Sequence, residues 1–245
     1  MQGKPNPPLA VFCLKCGSKY PSDYANRLHR MVRRNLVARH SFHCLTEDPR
    51  GLDRDIIAVP LPGPDLGGCW NKLWLFSSDL AEPGTTILYL DLDVVLVDSI
   101  EELVTCSPDA DFLGQPDWNR PLFPQFNSSV MRLRVRSHPE VLDRFMDECA
   151  TGRLRRREEW DGTTRSREKV VYWRGWRRFG GDQEWISAHL RPRSSIRSRA
   201  FPRGWILSYK RHGRFEAPAG AKVVVFHGSP KPHEVENAYV REHWQ

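Results

Sequence analysis

The stretch TTILYLDLDVVLVDSIEEL, residues 85–103, decides how this chain reads. Thr85–Leu90 is apolar and rich in β-formers, which predicts a buried strand. It runs directly into Asp91-Leu92-Asp93. Ionised carboxylates beside a buried strand are costly unless something compensates them. A hard divalent cation, Mn²⁺ or Mg²⁺, is a natural compensation. Residues two apart on a strand share a face, so Asp91 and Asp93 can share one ion. The alternative is that they cap the helix expected from Ser99 or pair with arginines.

Working outward, Leu9–Leu14 predicts a first buried strand, followed by a loop with Gly17 and Pro21. Asp23–Ala38 has helical spacing, with Leu28, Met31, Val32 and Leu36 on one face. Ser41–Leu45 and Ile56–Val59 predict two more strands, and Cys69–Leu80 a helix. Strand–helix–strand order favours a mainly parallel α/β sheet. Downstream, Phe112–Leu113 and Asn127–Leu133 predict strands, and Pro139–Cys149 an amphipathic helix. Gly181–Leu190 predicts another helix, with Asp182 at its start. Lys222–Phe226 is a last strand, delivering His227 into the loop Gly228-Ser229-Pro230-Lys231-Pro232.

The chain has 245 residues and a formal net charge of +7, enough for one large domain with a true core. Residues 1–8 are expected to be a flexible tail and 9–245 one domain. No run approaches the roughly 20 apolar residues that span a bilayer. The first residues do not read as a secretory signal. Six cysteines are too sparse for a disulfide scaffold, so a cytoplasmic protein is expected. The charge is unevenly placed. Residues 153–214 hold 18 Lys and Arg against 6 Asp and Glu, whereas the remainder holds 19 against 24. Residues 153–178, rich in Arg and Trp, show no clean periodicity.

In an open α/β sheet, ligands bind beyond the carboxyl ends of the strands. Asp91, Asp93 and His227 all fall at such ends, and two carboxylates with an imidazole form a plausible Mn²⁺ set. Lys231 can reach a phosphate as a point charge. Asp182 by itself reads as a helix N-cap. Phe126-Asn127-Ser128-Ser129 by itself reads as a turn entering a strand.

Taken in order, five segments resemble nucleotide-sugar glycosyltransferases of the GT-A fold, most nearly the retaining family-8 type. They are Lys72-Leu73, LYLDLDVVLVDSIEEL, FNSSVMRL, GGDQEWI and FHGSPKPH, spanning about residues 70–233. The resemblance implies a Rossmann-like three-layer α/β/α fold with a central mixed sheet. It implies metal ligation by Asp91, Asp93 and His227. It sets Lys231 and Gly228 at the donor diphosphate, Lys72 near the donor, and Asn127 and Ser128 beside the donor sugar. Asp182 and Gln183 fall near the reacting carbon, and Lys15, Gly17 and Tyr20 in the loop that holds the nucleotide base. The spacing from His227 to Lys231 is shorter than the family's usual one, and Ser129 replaces its common glycine.

The expected activity is metal-dependent transfer of a hexose from a UDP-sugar to an acceptor, with retention. The basic 153–214 region falls on the acceptor side. It suits an anionic glycan, a lipid-linked acceptor or peripheral contact with the inner face of a membrane. Two other readings compete. The Asp-Leu-Asp run also resembles haloacid-dehalogenase-type phosphatases, although there the motif follows the first strand. The Arg/Trp-rich stretch also suits a nucleic-acid-binding module, although no known motif for one is present. Cys13-Leu14-Lys15-Cys16 has CxxC spacing but lacks the second pair that structural zinc requires.

Overall fold

The computed structural model describes residues 8–119, 125–160, 168–190 and 198–245. Most of the expected N-terminal tail lies outside them. Three consecutive strands open the chain: β1 (Leu9–Lys15), β2 (Ser41–Thr46) and β3 (Ile57–Val59). Next come β4 (Thr86–Leu90), β5 (Val94–Leu96), β6 (Phe112–Pro116) and β7 (Phe126–Arg134). A basic segment supplies β8 (Leu154–Trp160), β9 (Glu168–Arg174) and β10 (Arg177–Phe179). The last strands are β11 (Ser198–Ala200), β12 (Ile206–Ser208) and β13 (Val223–Val225).

The central sheet has seven strands in the order β11-β6-β7-β4-β1-β2-β3. Pairs β1–β2, β1–β4, β2–β3 and β6–β11 are parallel. Strand β7 runs antiparallel to both of its neighbours, so the sheet is mixed, as the resemblance implied. Strands β1 and β4 are buried on both faces and therefore read as continuous apolar runs rather than alternating ones. Val11 and Cys13 of β1 pack to one side, and Ala10 and Phe12 to the other.

On the first side lies helix α1 (Ser22–Asn35), which buries Leu28, Met31 and Val32 as its periodicity predicts. A second sheet, β12-β13-β5, packs there too, with α2 (Glu101–Thr105). The short helices α5 (Tyr209–His212) and α6 (Ala238–His243) complete that layer. On the other side are α3 (Glu140–Ala150), α4 (Asp182–His189) and a third sheet, β10-β9-β8. Trp70, Phe145, Tyr172 and Trp185 interlock in this layer. Ring centroids are 4.7 Å apart for Trp70–Tyr172 and 5.3 Å for Phe145–Trp185.

Three elements differ from the sequence reading. The expected helix Cys69–Leu80 is a 3-10 run over Gly68–Phe76. All seven residues from Trp70 to Phe76 are buried, so no polar face exists to mark an amphipathic α-helix. The apolar run after Asp93 is a separate strand, β5, which leaves the central sheet for the second one. Strand β13 likewise belongs to the second sheet, so His227 enters from that sheet rather than from the central one.

Candidate active site

Asp91, Leu92 and Asp93 form the turn that links β4 to β5 and hence one sheet to another. The corner is fixed by main-chain bonds on both sides. Asp91 N donates to Ser129 O on β7 at 2.8 Å, and Phe226 N, just beyond β13, donates to Asp93 O at 2.9 Å. The carboxylates are thus presented by a turn rather than by one face of a strand, and each meets a different lysine.

Lys72, on the 3-10 run, points its buried ammonium between two carboxylates. Its Nζ lies 2.8 Å from Asp91 Oδ1 and 3.8 Å from Asp182 Oδ2. Burial works against its charge, but Asp182 and Asp91 outweigh that and hold the ammonium above its usual range. Burial likewise works against ionised Asp91. Lys72, with hydrogen bonds from Tyr89 and Ser129, holds its carboxyl below the ordinary value. Tyr89 Oη donates to Asp91 Oδ1 at 2.7 Å. Asp182 Oδ2 is buried and lacks a hydrogen-bond donor, its lysine partner being beyond hydrogen-bond range.

Asp93 is engaged from the other side. Tyr20 Oη donates to its Oδ2 at 2.7 Å, and Lys231 Nζ donates to the same oxygen. Burial first, and then Asp93, push the Tyr20 phenol far above its usual range. Lys19 and Lys231 both sit over the Tyr20 ring, at 4.9 and 5.3 Å from its centroid. His227 stacks on Trp118 at 6.0 Å, and its Nε2 is 2.7 Å from Ser208 Oγ. Burial and Lys210 lower its affinity for a proton, which keeps the imidazole neutral at pH 7.

Opposite the corner stand Asn127 and Ser128 on β7 and Asp182 and Gln183 at the start of α4. Asn127 Nδ2 reaches Gln183 Oε1 at 3.5 Å, and Gln183 Nε2 reaches Asp117 Oδ2 at 3.5 Å. The Asp91–Asp93 corner, its lysines and tyrosines, His227 and the Asn127, Ser128, Asp182 and Gln183 side line one cleft of about 620 Å³, with Asp117, Trp118 and Ser208 standing behind it. The sequence reading is brought together there for Tyr20, Lys72, Asp91, Asp93, Asn127, Ser128, Asp182, Gln183, His227, Gly228 and Lys231. Lys15 and Gly17 stand outside it. Lys15 Nζ donates to Asp48 O at 3.1 Å and Gly17 N to Glu47 Oε1 at 2.6 Å. The cleft wall there is Leu14, Cys16, Lys19 and Tyr20. Cys13 is fully buried in β1 while Cys16 lines the cleft, so the CxxC pair does not face one site.

Sequence reasoning missed Asp117, Trp118 and Ser208, which hold Gln183 and His227. It also missed Lys169 and Arg178 at the cleft rim. Each of these is a single polar or aromatic residue outside any motif, and only the fold brings it near.

Among the described residues no three His, Cys, Asp or Glu side chains converge tightly enough to form a metal site as they stand. The donor chemistry nonetheless fits a hard dication. The cleft sets the carboxylates of Asp91, Asp93, Asp182 and Glu184 against the cations Lys19, Lys72, Lys169, Arg178 and Lys231. That near-neutral set leaves little positive charge for an anionic ligand, and a dication shared by Asp91 and Asp93 would supply it.

No family model and no curated protein matches this chain. Solved structures do. An active-site glutamine-to-glutamate mutant of LgtC superimposes with a TM-score of 0.58 at 13% identity, over 91% of this chain and 89% of that one. The galactosyltransferase LgtC in complex with donor and acceptor sugar analogs gives 0.56 at 12%, over 91% and 88%. The glycosyltransferase GlyE of Streptococcus pneumoniae TIGR4 gives 0.59 at 10%, over 96% of this chain but 61% of that chain. At such identities the likeness is one of fold. It defines the class: this chain has the GT-A glycosyltransferase fold, the one its ordered motifs resemble. Strand β4, which leads into the Asp-Leu-Asp run, lies between β1 and β7 in the central sheet and is not the first strand, unlike the phosphatase arrangement.

Proposed function

We propose that this protein is a glycosyltransferase that moves a hexose from a nucleoside diphosphate, UDP, to an acceptor hydroxyl with retention at the anomeric carbon. The observation that carries this reading is the corner at Asp91–Asp93. Two carboxylates there are held by lysines from separate elements, and they face Asn127, Asp182 and Gln183 across one cleft. The fold likeness to LgtC, solved with donor and acceptor sugar analogs, supports it. So does the active-site role of a glutamine in LgtC, for which Gln183 is the candidate counterpart.

Asp91 and Asp93 would hold Mn²⁺ or Mg²⁺, with His227 joining them by exchanging its Ser208 contact. Such an ion supplies Lewis-acid stabilisation of the diphosphate as its charge grows. Lys231 and Lys19, gathered over Tyr20, bind the same diphosphate as point charges. As the bond from the sugar C1 to the phosphate oxygen breaks, the acceptor oxygen bonds C1 from the same face. Its proton passes to the departing phosphate oxygen. Asp182, with Lys72 beside it, faces the positive charge that develops at C1. The Asn127–Gln183–Asp117 chain orients the sugar hydroxyls. Attack by Asp182 itself, through a covalent glycosyl-enzyme, is the other retaining route.

Calorimetry with a panel of nucleotide sugars, with and without Mn²⁺, tests the donor. Metal-enhanced binding of a UDP-sugar is expected, and it should vanish in Asp93→Ala. Failure of Mn²⁺ to enhance the binding of any nucleotide sugar would refute the reading.

A further inference from the structure

The sheet β10-β9-β8 has two different faces. One packs Leu154, Tyr172 and Phe179 into the core. The other carries the alternate positions Arg155, Arg157, Glu159, Lys169, Trp173 and Arg178, with the fully buried Val171 between Lys169 and Trp173. Register sets Arg155 and Arg178 on either side of Trp173, and Glu159 beside Lys169. Glu159, the one carboxylate of this set, is already engaged. It accepts hydrogen bonds from Trp173 Nε1 and Arg178 Nε, both at 2.8 Å. The Arg157 guanidinium lies 5.6 Å from the centroid of the Trp173 ring. Among the described residues, Arg155, Arg157 and Lys169 have no carboxylate within ion-pair distance. Lys169 and Arg178 also line the cleft, at the rim shared with Gly181 and Glu184. The face therefore continues the cleft outward as a cationic strip around one indole.

From this geometry we infer that the strip is the acceptor-docking surface and that the acceptor is an anionic saccharide, one bearing carboxylate or phosphate groups. The inference rests on the transferase reading of the cleft. Arginine forks and a lysine with no carboxylate of their own suit such groups, and the indole offers a flat floor for a sugar ring. A membrane surface fits less well. The exposed tryptophans Trp160 and Trp176, 66% and 92% accessible, stand at opposite ends of the sheet. Trp160 alternates onto the other face, so among the described residues Trp176, in the β9–β10 turn, is a lone exposed ring at one end of the cationic strip, too little to anchor it in a membrane. A nucleic acid fits less well too, because a single ring cannot stack successive bases.

The full chain is titrated by calorimetry with three tetrasaccharides: an oligogalacturonate, a phosphorylated tetramer and a neutral galactose tetramer. A single-stranded RNA and phosphatidylglycerol vesicles are run alongside. One of the charged tetramers should bind at least about tenfold more tightly than the neutral one. Arg155→Gln/Lys169→Gln should remove most of that preference, with the circular dichroism spectrum unchanged. Equal affinity for all three tetramers would overturn the inference. So would a preference that the double variant retains, or RNA or vesicles binding more tightly than either charged tetramer through the same two residues. Binding of a UDP-sugar, measured on the same sample, separates the two readings. If the donor binds and no charged tetramer does, only the acceptor inference fails. If no donor binds, the transferase reading fails first.

Discussion

Lys72→Met would leave Asp91 and Asp182 facing each other without the ammonium between them. Lys72 is buried and its Nζ lies 2.8 Å from Asp91 and 3.8 Å from Asp182, so water cannot easily take its place. Removing one partner of a buried ion pair costs about 3–5 kcal/mol, because an uncompensated charge stays behind. For a chain of this size each kcal/mol lowers the melting temperature by about 2–4 °C, so a fall of roughly 6–20 °C is expected at pH 7. The pH dependence gives a second, independent reading. In the native protein Asp91 titrates below its unfolded value, so its stabilisation is present above that value. It is lost as the pH falls through the depressed folded value. In the variant, burial acts on Asp91 against only the hydrogen bonds from Tyr89 and Ser129, so its pKa rises and protonation relieves the strain. The gap between variant and native protein should therefore narrow from pH 7 towards pH 4. Thermal melts followed by circular dichroism across that range test both parts. A Lys72→Met protein melting within about 2 °C of the native one at pH 7 would refute the reasoning. A gap that widens on acidification would refute it as well.

Two further outcomes are expected. Gly67 has φ +93°, and an added Cβ would lie 2.5 Å from Val170 Cγ2, whereas Gly84 has φ +82° with nothing near. Gly84→Ala should cost about 1–3 kcal/mol from backbone strain alone, and Gly67→Ala clearly more, by denaturant unfolding. The Cys69 thiol, in the cleft wall, is pushed up to about 12 by burial and by Asp182. Iodoacetamide should therefore label it at pH 8 roughly a thousandfold more slowly than an ordinary thiol, and Asp182→Asn should speed the labelling.

The parts of the fold that the sequence announced are those whose burial leaves a pattern. Strands β1 and β4, covered on both faces, are apolar throughout, and α1 buries Leu28, Met31 and Val32 at helical spacing. The sheet β10-β9-β8 was illegible because its inward residues, Leu154, Tyr172 and Phe179, are separated by long basic side chains. Arg174, on the same face as Leu154, is itself partly drawn in, bound through two hydrogen bonds to Glu148. The break between β4 and β5 was legible as chemistry but not as topology. No glycine or proline marks the turn at Asp91–Asp93, so the apolar run continues through a change of sheet. At the site, the residues within motifs came together, while Asp117, Trp118 and Ser208 act as single partners that leave no trace in the sequence.

The corner at Asp91–Asp93 also constrains what change the chain can absorb. The amide of Asp91 is tied to β7, and the carbonyl of Asp93 to the residue that follows β13. Their separation is a matter of register between two sheets, not of loop length. Inserting or deleting one residue there would break a pairing on one side or the other. Exchanging either side chain would leave both pairings intact. Through such exchanges the site can change its chemistry while its frame stays the same.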